Sequence, residues 1–411
     1  MSPLKISWKS LWSKPLSAFL NLMLVAFGIG ILTMLLLASK QISEKLDNNS
    51  KDIDLVVGAK GSPLQLVLSS IYYIDFPTGN IPLKDAQELM HNPLVKKAVP
   101  LALGDNYKSV RIVGTDSNFV ALYGLKVKAG KFWKKEFETT IGSAVAINNK
   151  LKVGDSFFGA HGLTGSGDVH KAHAYIVSGI LEPQGNVTDN LILTNVASVW
   201  KMHDSADEGQ AGHQETNHKE QDSQAEAAEI KNREITSLLI QYRSPMSVVM
   251  FPRMVNESTN MQAASPAMES TRLFSLIGVG VDTLQWFAIL VMLIAAISVF
   301  VNLYNSLKER SYDLAIMRIL GASKSKLFVI IIAEGIMLTL AGSVAGIILG
   351  HLAIEAIGHF QESSQARLTG FSFLTEEIYL LIAGLVIGIF AAIIPALQAY
   401  KSNISKILAQ N

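Results

Sequence analysis

Residues 307–323 read Leu307-Lys308-Glu309-Arg310-Ser311-Tyr312-Asp313-Leu314-Ala315-Ile316-Met317-Arg318-Ile319-Leu320-Gly321-Ala322-Ser323. Lys324, Ser325 and Lys326 follow, and then a long apolar run begins. Lys308, Glu309, Arg310, Asp313 and Arg318 crowd one short piece of chain, while Leu314, Ile316, Ile319 and Leu320 supply apolar contacts. The apolar runs before and after it are each long enough to cross a bilayer core, which takes roughly 20 residues. A short helix that is both charged and apolar, wedged between two spans at a membrane face, suits docking into a partner better than catalysis.

Working outward, there are four such runs, at 16–38, 284–304, 327–351 and 378–397. The first exceeds the roughly 7–15 apolar residues of a signal-peptide core and reads as an uncleaved anchor. The loops orient them. Lys5, Lys9 and Lys14 precede the first span with no acidic residue among them, and Lys401 and Lys406 follow the last. Segment 305–326 holds Lys308, Arg310, Arg318, Lys324 and Lys326 against Glu309 and Asp313. Loop 352–377 instead carries Glu362, Glu376 and Glu377 with Arg367. Because basic residues stay in the cytoplasm, segments 1–15, 305–326 and 398–411 are expected inside and 39–283 outside.

Composition agrees. At 411 residues, 49% hydrophobic and 17% charged, the chain is too apolar for one soluble domain and too polar to lie wholly in a membrane. A net charge of +1 argues against a nucleic-acid partner. With no cysteine there can be no disulfide framework, thiolate nucleophile or cysteine-ligated zinc.

The expected fold is a membrane protein of four transmembrane α-helices with a large extracytoplasmic mixed α/β domain between spans one and two. Segment 1–15 reads as an amphipathic helix with Leu4, Trp8, Leu11 and Trp12 on one face, two tryptophans beside lysines suiting the headgroup zone. A polar helical stalk is expected over 40–51, a strand over 53–57, and a helix carrying Leu64, Val67, Leu68, Ile71 and Tyr72. Further on, 84–90 reads as helix and 110–113, 143–147, 174–180 and 191–194 as strands. Segment 203–229 sets His203, His213 and His218 among aspartates and glutamates with almost no large apolar residue. It cannot bury enough surface to fold alone and reads as a solvated insertion. Folded sequence resumes at 234–242, and a helical stretch over 245–274 leads back to span two.

Few constellations carry chemistry. The turn Gly58-Ala59-Lys60-Gly61-Ser62-Pro63 lacks the Gly-x4-Gly-Lys-[Ser/Thr] spacing of a phosphate-binding loop, which occurs nowhere in the chain, so ATP hydrolysis is not expected here. There is no Gly-x-Ser-x-Gly elbow and no His-Glu-x-x-His helix. His203, His213 and His218 with neighbouring carboxylates form one candidate zinc site, and His161, His170 and His173 another, against the plainer reading of solvated loops. Gly342, Gly346 and Gly350 in span three, and Gly384 and Gly388 in span four, recur at the spacing that lets helix backbones approach closely.

The opening stretch resembles the coupling segment of FtsX/MacB-type ABC transporter permeases, which reads Arg-Glu-Ile-Gly, a few apolar residues, Arg, then Leu-Gly-Ala-Ser. Asp313-Leu314-Ala315 stands where that family prefers Glu-Ile-Gly. Glu334-Gly335 followed by spaced glycines resembles the family's third span. Ala391-Ala392-Ile393-Ile394-Pro395-Ala396-Leu397-Gln398-Ala399 resembles its closing Ala-x-x-x-Pro-Ala-x-x-Ala signature, with Ser402-Asn403 replacing the usual Asp-Pro before a short final helix over 404–408. Residues 111–116 followed by 125–130, and 152–157 followed by 175–180, are similar to successive strand segments of MacB-type periplasmic domains.

The resemblance implies a multi-pass permease subunit of the bacterial inner membrane with both termini cytoplasmic. It implies ATP and Mg bound on a dimeric cytoplasmic ABC ATPase and no cofactor on this chain. It also implies a second permease copy or paralogue, an extracytoplasmic substrate or adaptor protein, and mechanotransmission serving export or extraction of a lipoprotein, peptide or drug-like substrate. Lys308, Glu309, Arg310, Asp313, Arg318 and Gly321 take the coupling role. The alternatives are a membrane-anchored metal-binding or sensing protein whose histidine-bearing insertion is active, and a non-transporting regulator of an extracytoplasmic enzyme.

Overall fold

A computed structural model describes residues 3–161, 173–208, 233–360 and 368–401. They fall into two compact units, one drawn from residues 1–42 and 276–411 and the other from 43–275.

The first unit is helical. Helix α1 (Pro3–Ser13) is followed after Lys14 by α2 (Pro15–Ser50), whose first residue is a proline, tolerated there because the first turn has no amide partner to lose. Span two is the 44-residue helix Pro266–Glu309, and a short helix, Ser311–Ile319, follows it. Span three is Lys324–Phe360 and span four Glu377–Lys401. Among the described residues, α2 and these three long helices are apolar enough to cross a membrane. Each continues past the apolar run that marks it in the sequence, α2 through the expected stalk.

Span three is the centre of the unit, and small residues put it there. A methyl group at Gly342 would strike Val25, one at Gly346 the Ala26 carbonyl and Ile29, and one at Gly350 Thr33. Those three glycines therefore face the first span. Gly384 and Gly388 of span four lie against Ser343 and Thr339 of span three in the same way. All five expected packing glycines thus serve contacts within this subunit. The hydroxyls among them are satisfied locally: Thr33, Thr339 and Ser343 each donate to the carbonyl four residues back.

The turn leading into span four is tied down by polar bonds. Gln41 pairs with the backbone of Thr369 in both directions, at 2.7 and 2.9 Å. Buried His351 of span three donates from Nδ1 to the Gly370 carbonyl, which fixes that proton, and its Nε2 lies 3.1 Å from Glu377 Oε1.

The second unit is built on a sheet. Its strands are β1 (Leu55–Ala59), β2 (Ile81–Pro82), β3 (Val95–Tyr107), β4 (Val110–Thr115), β5 (Val127–Gly130), β6 (Glu138–Ile141), β7 (Ser156–Phe157), β8 (Ala160–His161), β9 (Tyr175–Leu181), β10 (Ile192–Asn195), β11 (Glu234–Ile235), β12 (Ser237–Tyr242) and β13 (Met261–Ala264). Eleven of the described strands form one sheet in the order β13-β1-β12-β3-β4-β10-β6-β9-β5, with β7 on β9 and β8 on β3. The β4–β10 and β6–β9 pairs are parallel; the other pairs are antiparallel.

Strand β3 joins the two halves, pairing with β12 through its first residues and with β4 through its last. From Ala98 on its side chains alternate as a pleated strand requires, and a register shift before it brings Val95 to the same face as Ala98. Val99, Leu101 and Leu103 enter one core with Phe119, Leu181 and Leu193, and Val95, Ala98 and Ala102 enter another with Phe251 and Val255. Helices cover both faces: α3 (Pro63–Ser70) and α5 (Ser117–Tyr123) on the first, α4 (Leu83–Met90) and Pro245–Ser258 on the second. Burial on both faces explains near-continuous apolar runs such as Leu238-Leu239-Ile240.

Three sequence expectations need correction. Residues 143–147 are not a strand but part of α6 (Ser143–Asn149), with Val145 buried and Ile147 exposed. The expected helix over 245–274 is broken: Pro245–Ser258 ends, β13 pairs with β1, and the span-two helix starts at Pro266. The start of the expected insertion is helical, because α7 (Val196–Glu208) runs on through 203–208.

Candidate functional site

Helix Ser311–Ile319 owes its ends to local chemistry. Asp313 sits in its first turn and Arg318 in its last, each complementing the helix dipole. Beyond the C-cap Leu320, Gly321 takes φ +94°, the left-handed conformation that favours glycine. Its amide donates to the Arg318 carbonyl and that of Ala322 to the Met317 carbonyl, the paired bonds of a Schellman turn. Arg318 Nη1 closes the same turn on the Ala322 carbonyl at 3.3 Å. Outward, the helix and its turn present Tyr312, Ile316, Ile319 and Leu320, with Leu320 81% exposed, and Asp313 and the preceding Lys308 stand beside them in solvent.

The six residues assigned to coupling are therefore placed in three ways. Lys308 and Asp313 are exposed, and Arg318 and Gly321 shape the turn. Glu309 and Arg310 turn toward the N-terminal helix: Glu309 pairs with Lys14, and Arg310 donates from Nη1 to Ser10 and from Nη2 to Ser13 at 3.1 Å.

Behind Arg310 lies a group of residues that sequence reading did not join. Ser10 Oγ donates to Glu334 Oε1 of span three at 2.5 Å, and Ser7 Oγ donates to the Ile330 carbonyl at 2.9 Å. Ser7, Ser10 and Glu334 are buried. Leu4, Trp8 and Trp12 of the same helix are exposed. Helix α1 thus faces the bundle with its serines and the surroundings with its tryptophans. A cavity of about 300 Å³ lies beside the group, lined by Ser10, Leu303, Arg310, Asp313, Met317 and Glu334 among others.

The sheet domain has its own cleft of about 910 Å³, whose walls include Met90, Phe132, Trp133 and Trp200, with Lys126 and Asp116. Two of its polar groups are used internally. Asp116 caps α5 through the Asn118 amide, and Trp200 Nε1 donates to the Glu234 carbonyl. Burial pushes the Asp116 carboxyl up from its ordinary value, opposed by hydrogen bonds from Asn118 and Phe119.

Among the described residues no three His, Asp or Glu side chains are grouped to hold a metal. His213, His218 and His170 lie outside the described residues, and so does the expected final helix over 404–408. His203 falls in α7 and His161 in β8, and the His173 ring stacks on Phe137.

Two family models match the chain. Residues 18–250 match the model of the MacB-like periplasmic core domain, and residues 286–404 match that of the FtsX-like permease C-terminal region. The chain belongs to the FtsX/MacB-type ABC transporter permease family. Among solved structures it is similar to the periplasmic region of MacB from Actinobacillus actinomycetemcomitans, at 11% identity and a TM-score of 0.33, covering 56% of this chain and 97% of that one. It is also similar to the extracellular domain of the noncanonic ABC-type transporter YknZ from Gram-positive bacteria, at 14% identity and a TM-score of 0.30, covering 52% and 99%. No match was found among curated proteins. As a member of this permease family, with four apolar helices, the chain is a membrane protein. The α/β unit between its first two spans is the family's core domain, and helix Ser311–Ile319 sits inside the matched permease region.

Proposed function

We propose that this permease couples ATP hydrolysis, carried out on a separate cytoplasmic ATPase that binds the nucleotide and Mg, to movement of its sheet domain on the other side of the membrane. The observation that carries this reading is the outward face of Ser311–Ile319. Tyr312, Ile316, Ile319 and Leu320 form an apolar strip flanked by Lys308 and Asp313 on a short helix. An amphipathic helix of this kind buries its apolar face in a groove of another protein, and flanking charges set its register. The excess of lysine and arginine around it supports a cytoplasmic position at an inner membrane, where ATP is.

Span two supports the expectation of a second copy or a paralogue. Only 22% of its apolar window is buried, against 50% for span three, so most of its surface is free for lipid or another permease. Export or extraction of a lipoprotein, peptide or drug-like substrate is the work this coupling would serve, with the core domain as the moving part.

The test is capture of the ATPase from native membranes by the tagged permease, wild type against the double variant Ile316→Asp/Ile319→Asp. Both side chains point away from the bundle, so insertion should be retained. Desolvating two new charges in an apolar interface should lower capture at least tenfold, a loss of about 1.4 kcal/mol or more. Equal capture by a correctly inserted double variant would move the docking site elsewhere.

A further inference from the structure

The docking helix is not an isolated projection. Arg310, at its N-cap, reaches to α1, and the residue it reaches is itself bonded to Glu334 in the first third of span three. We propose that Arg310, Ser10 and Glu334 form a mechanical joint that makes the docking helix, the N-terminal helix and span three move as one body. This deepens the reading of Ser311–Ile319 as the ATPase dock by naming which parts of the permease its motion reaches first.

Three observations lead there. First, the bonds run in series. Arg310 donates to Ser10 Oγ, which donates in turn to Glu334 Oε1, so the serine is shared by residues 300 and 324 positions away. Removing Ser10 would release Glu334 and leave Arg310 only its bond to Ser13 on α1. Second, α1 packs on the bundle core through Leu11, but its apolar contact toward the short helix is interrupted. A cavity of about 300 Å³ separates Ile6, Leu303, Leu314 and Met317 where close packing would otherwise fix them. Side chains across a void lose the dispersion contacts that lock a core. Third, the contact is reinforced around its edge, by Ser7 on the Ile330 carbonyl, Arg310 on Ser13, Lys14 with Glu309, and Ser17 on Asn302 of span two at 2.7 Å.

Burial makes the joint specific. Glu334 is 7% exposed and Ser10 4%, so each polar group there depends on its stated partner. The outward side of α1, with Trp8 and Trp12, is the side that would be moved through its surroundings.

The natural chain has no cysteine, which makes the test direct. Ile6→Cys and Met317→Cys, introduced together, place one thiol on α1 and one on the docking helix, both facing the cavity. A short bis-maleimide is then applied to membranes without added ATPase, in this background and with Ser10→Ala, Glu334→Leu or Glu334→Gln added. Ser10→Ala and Glu334→Leu should each lower the cross-linked fraction roughly tenfold, matching about 1.4 kcal/mol of lost restraint. Glu334→Gln keeps an acceptor for Ser10 and should restore most of the yield. Wild-type yield in correctly inserted Ser10→Ala and Glu334→Leu would overturn the joint.

A second measurement adds the ATPase and nucleotide. Cross-linking with the joint intact should be the same with and without ATP, because the three parts travel together, and should become nucleotide-dependent in Ser10→Ala. Nucleotide-dependent yield with the joint intact would also overturn the proposal. If instead no ATPase associates with the wild-type permease, the coupling reading fails while the first measurement still decides the joint.

Discussion

The sheet domain and the helical unit bury themselves by opposite means. In the sheet domain large apolar residues are fully buried: Phe119, Phe251, Leu55, Leu66 and Leu101 fill the space between the sheet and its helices. In the helical unit the closest approaches occur where a side chain is missing, at Gly342, Gly346 and Gly350 against the first span and at Gly384 and Gly388 against the third. The difference follows from the solvent. Water drives apolar area together at roughly 25 cal/mol per Å². Lipid gives no such return, so helices gain only what close packing and hydrogen bonds supply. The two regions should therefore break under opposite substitutions, the sheet domain by removing atoms and the helical unit by adding them.

The largest effect is expected from addition. In Gly346→Leu the first carbon alone meets the Ala26 carbonyl and Ile29, and backbone cannot step aside as a flexible side chain can. Ordinary core overpacking costs roughly 1–3 kcal/mol, but here the clash falls on backbone along the seam that joins spans one and three, so the seam as a whole should part and the effect should exceed any single side-chain truncation. The variant should lose most of its monodisperse peak when extracted in detergent and sized by chromatography. Gly280→Leu in span two, where an added carbon meets nothing, is the control and should run as wild type. If Gly346→Leu elutes like Gly280→Leu, the glycine seam does not hold the bundle.

Removal should act next most strongly, in the sheet domain. Phe119 is fully buried, and Phe119→Ala should cost about 3–5 kcal/mol through lost burial and the cavity left behind. Ile147 is 75% exposed on α6, so Ile147→Ala should be neutral within about 0.5 kcal/mol. Hydrogen exchange across the strands of the full-length protein reads both. Protection should fall across the sheet in Phe119→Ala and stay unchanged in Ile147→Ala. A large effect at Ile147 would restore the strand that the sequence pattern suggests for 143–147.

That pair also marks where the sequence was legible. The four spans could be read because a run of roughly 20 apolar residues has few other uses. The glycine spacing in spans three and four likewise pointed to helix contact, which is where those residues lie. Residues 143–147 misled because a short run with Val145 and Ile147 fits either a strand or a helix turn, and periodicity over five positions does not decide between them. Segment 245–274 misled because β13 is a four-residue strand set between two strongly helical stretches. The buried joint was hidden for another reason. Ser10 and Glu334 are 324 residues apart, and nothing local distinguishes a serine that faces Glu334 from one that faces water. Its one local trace was the opposition of Ser7 and Ser10 to Trp8 and Trp12 on α1, which the reading of tryptophans beside lysines passed over.

The smallest expected effect belongs to the sheet domain's polar surface and tests whether that surface contributes at all beside its apolar core. Glu138 opens β6, and its Oε2 accepts the amides of Lys134 at 2.9 Å and Lys135 at 3.2 Å. Those two bonds stabilise the charged form and hold the Glu138 carboxyl below the ordinary glutamate value, with smaller help from Lys131 and Lys135. The sign follows from linkage. A carboxyl whose folded value is depressed contributes its full stabilisation above the unfolded value of about 4.3, and loses it as pH falls through the lower folded value. The group is exposed enough for solvent to screen it, so the effect should stay local to the turn. In Glu138→Gln the Lys134 and Lys135 amides should exchange several-fold faster than in wild type at neutral pH, and the two proteins should converge as pH falls through the depressed carboxyl value. Exchange in the strands themselves should not change. If the two proteins already exchange equally at neutral pH, the turn is held by its backbone path alone, and the sheet domain's stability rests on its apolar faces.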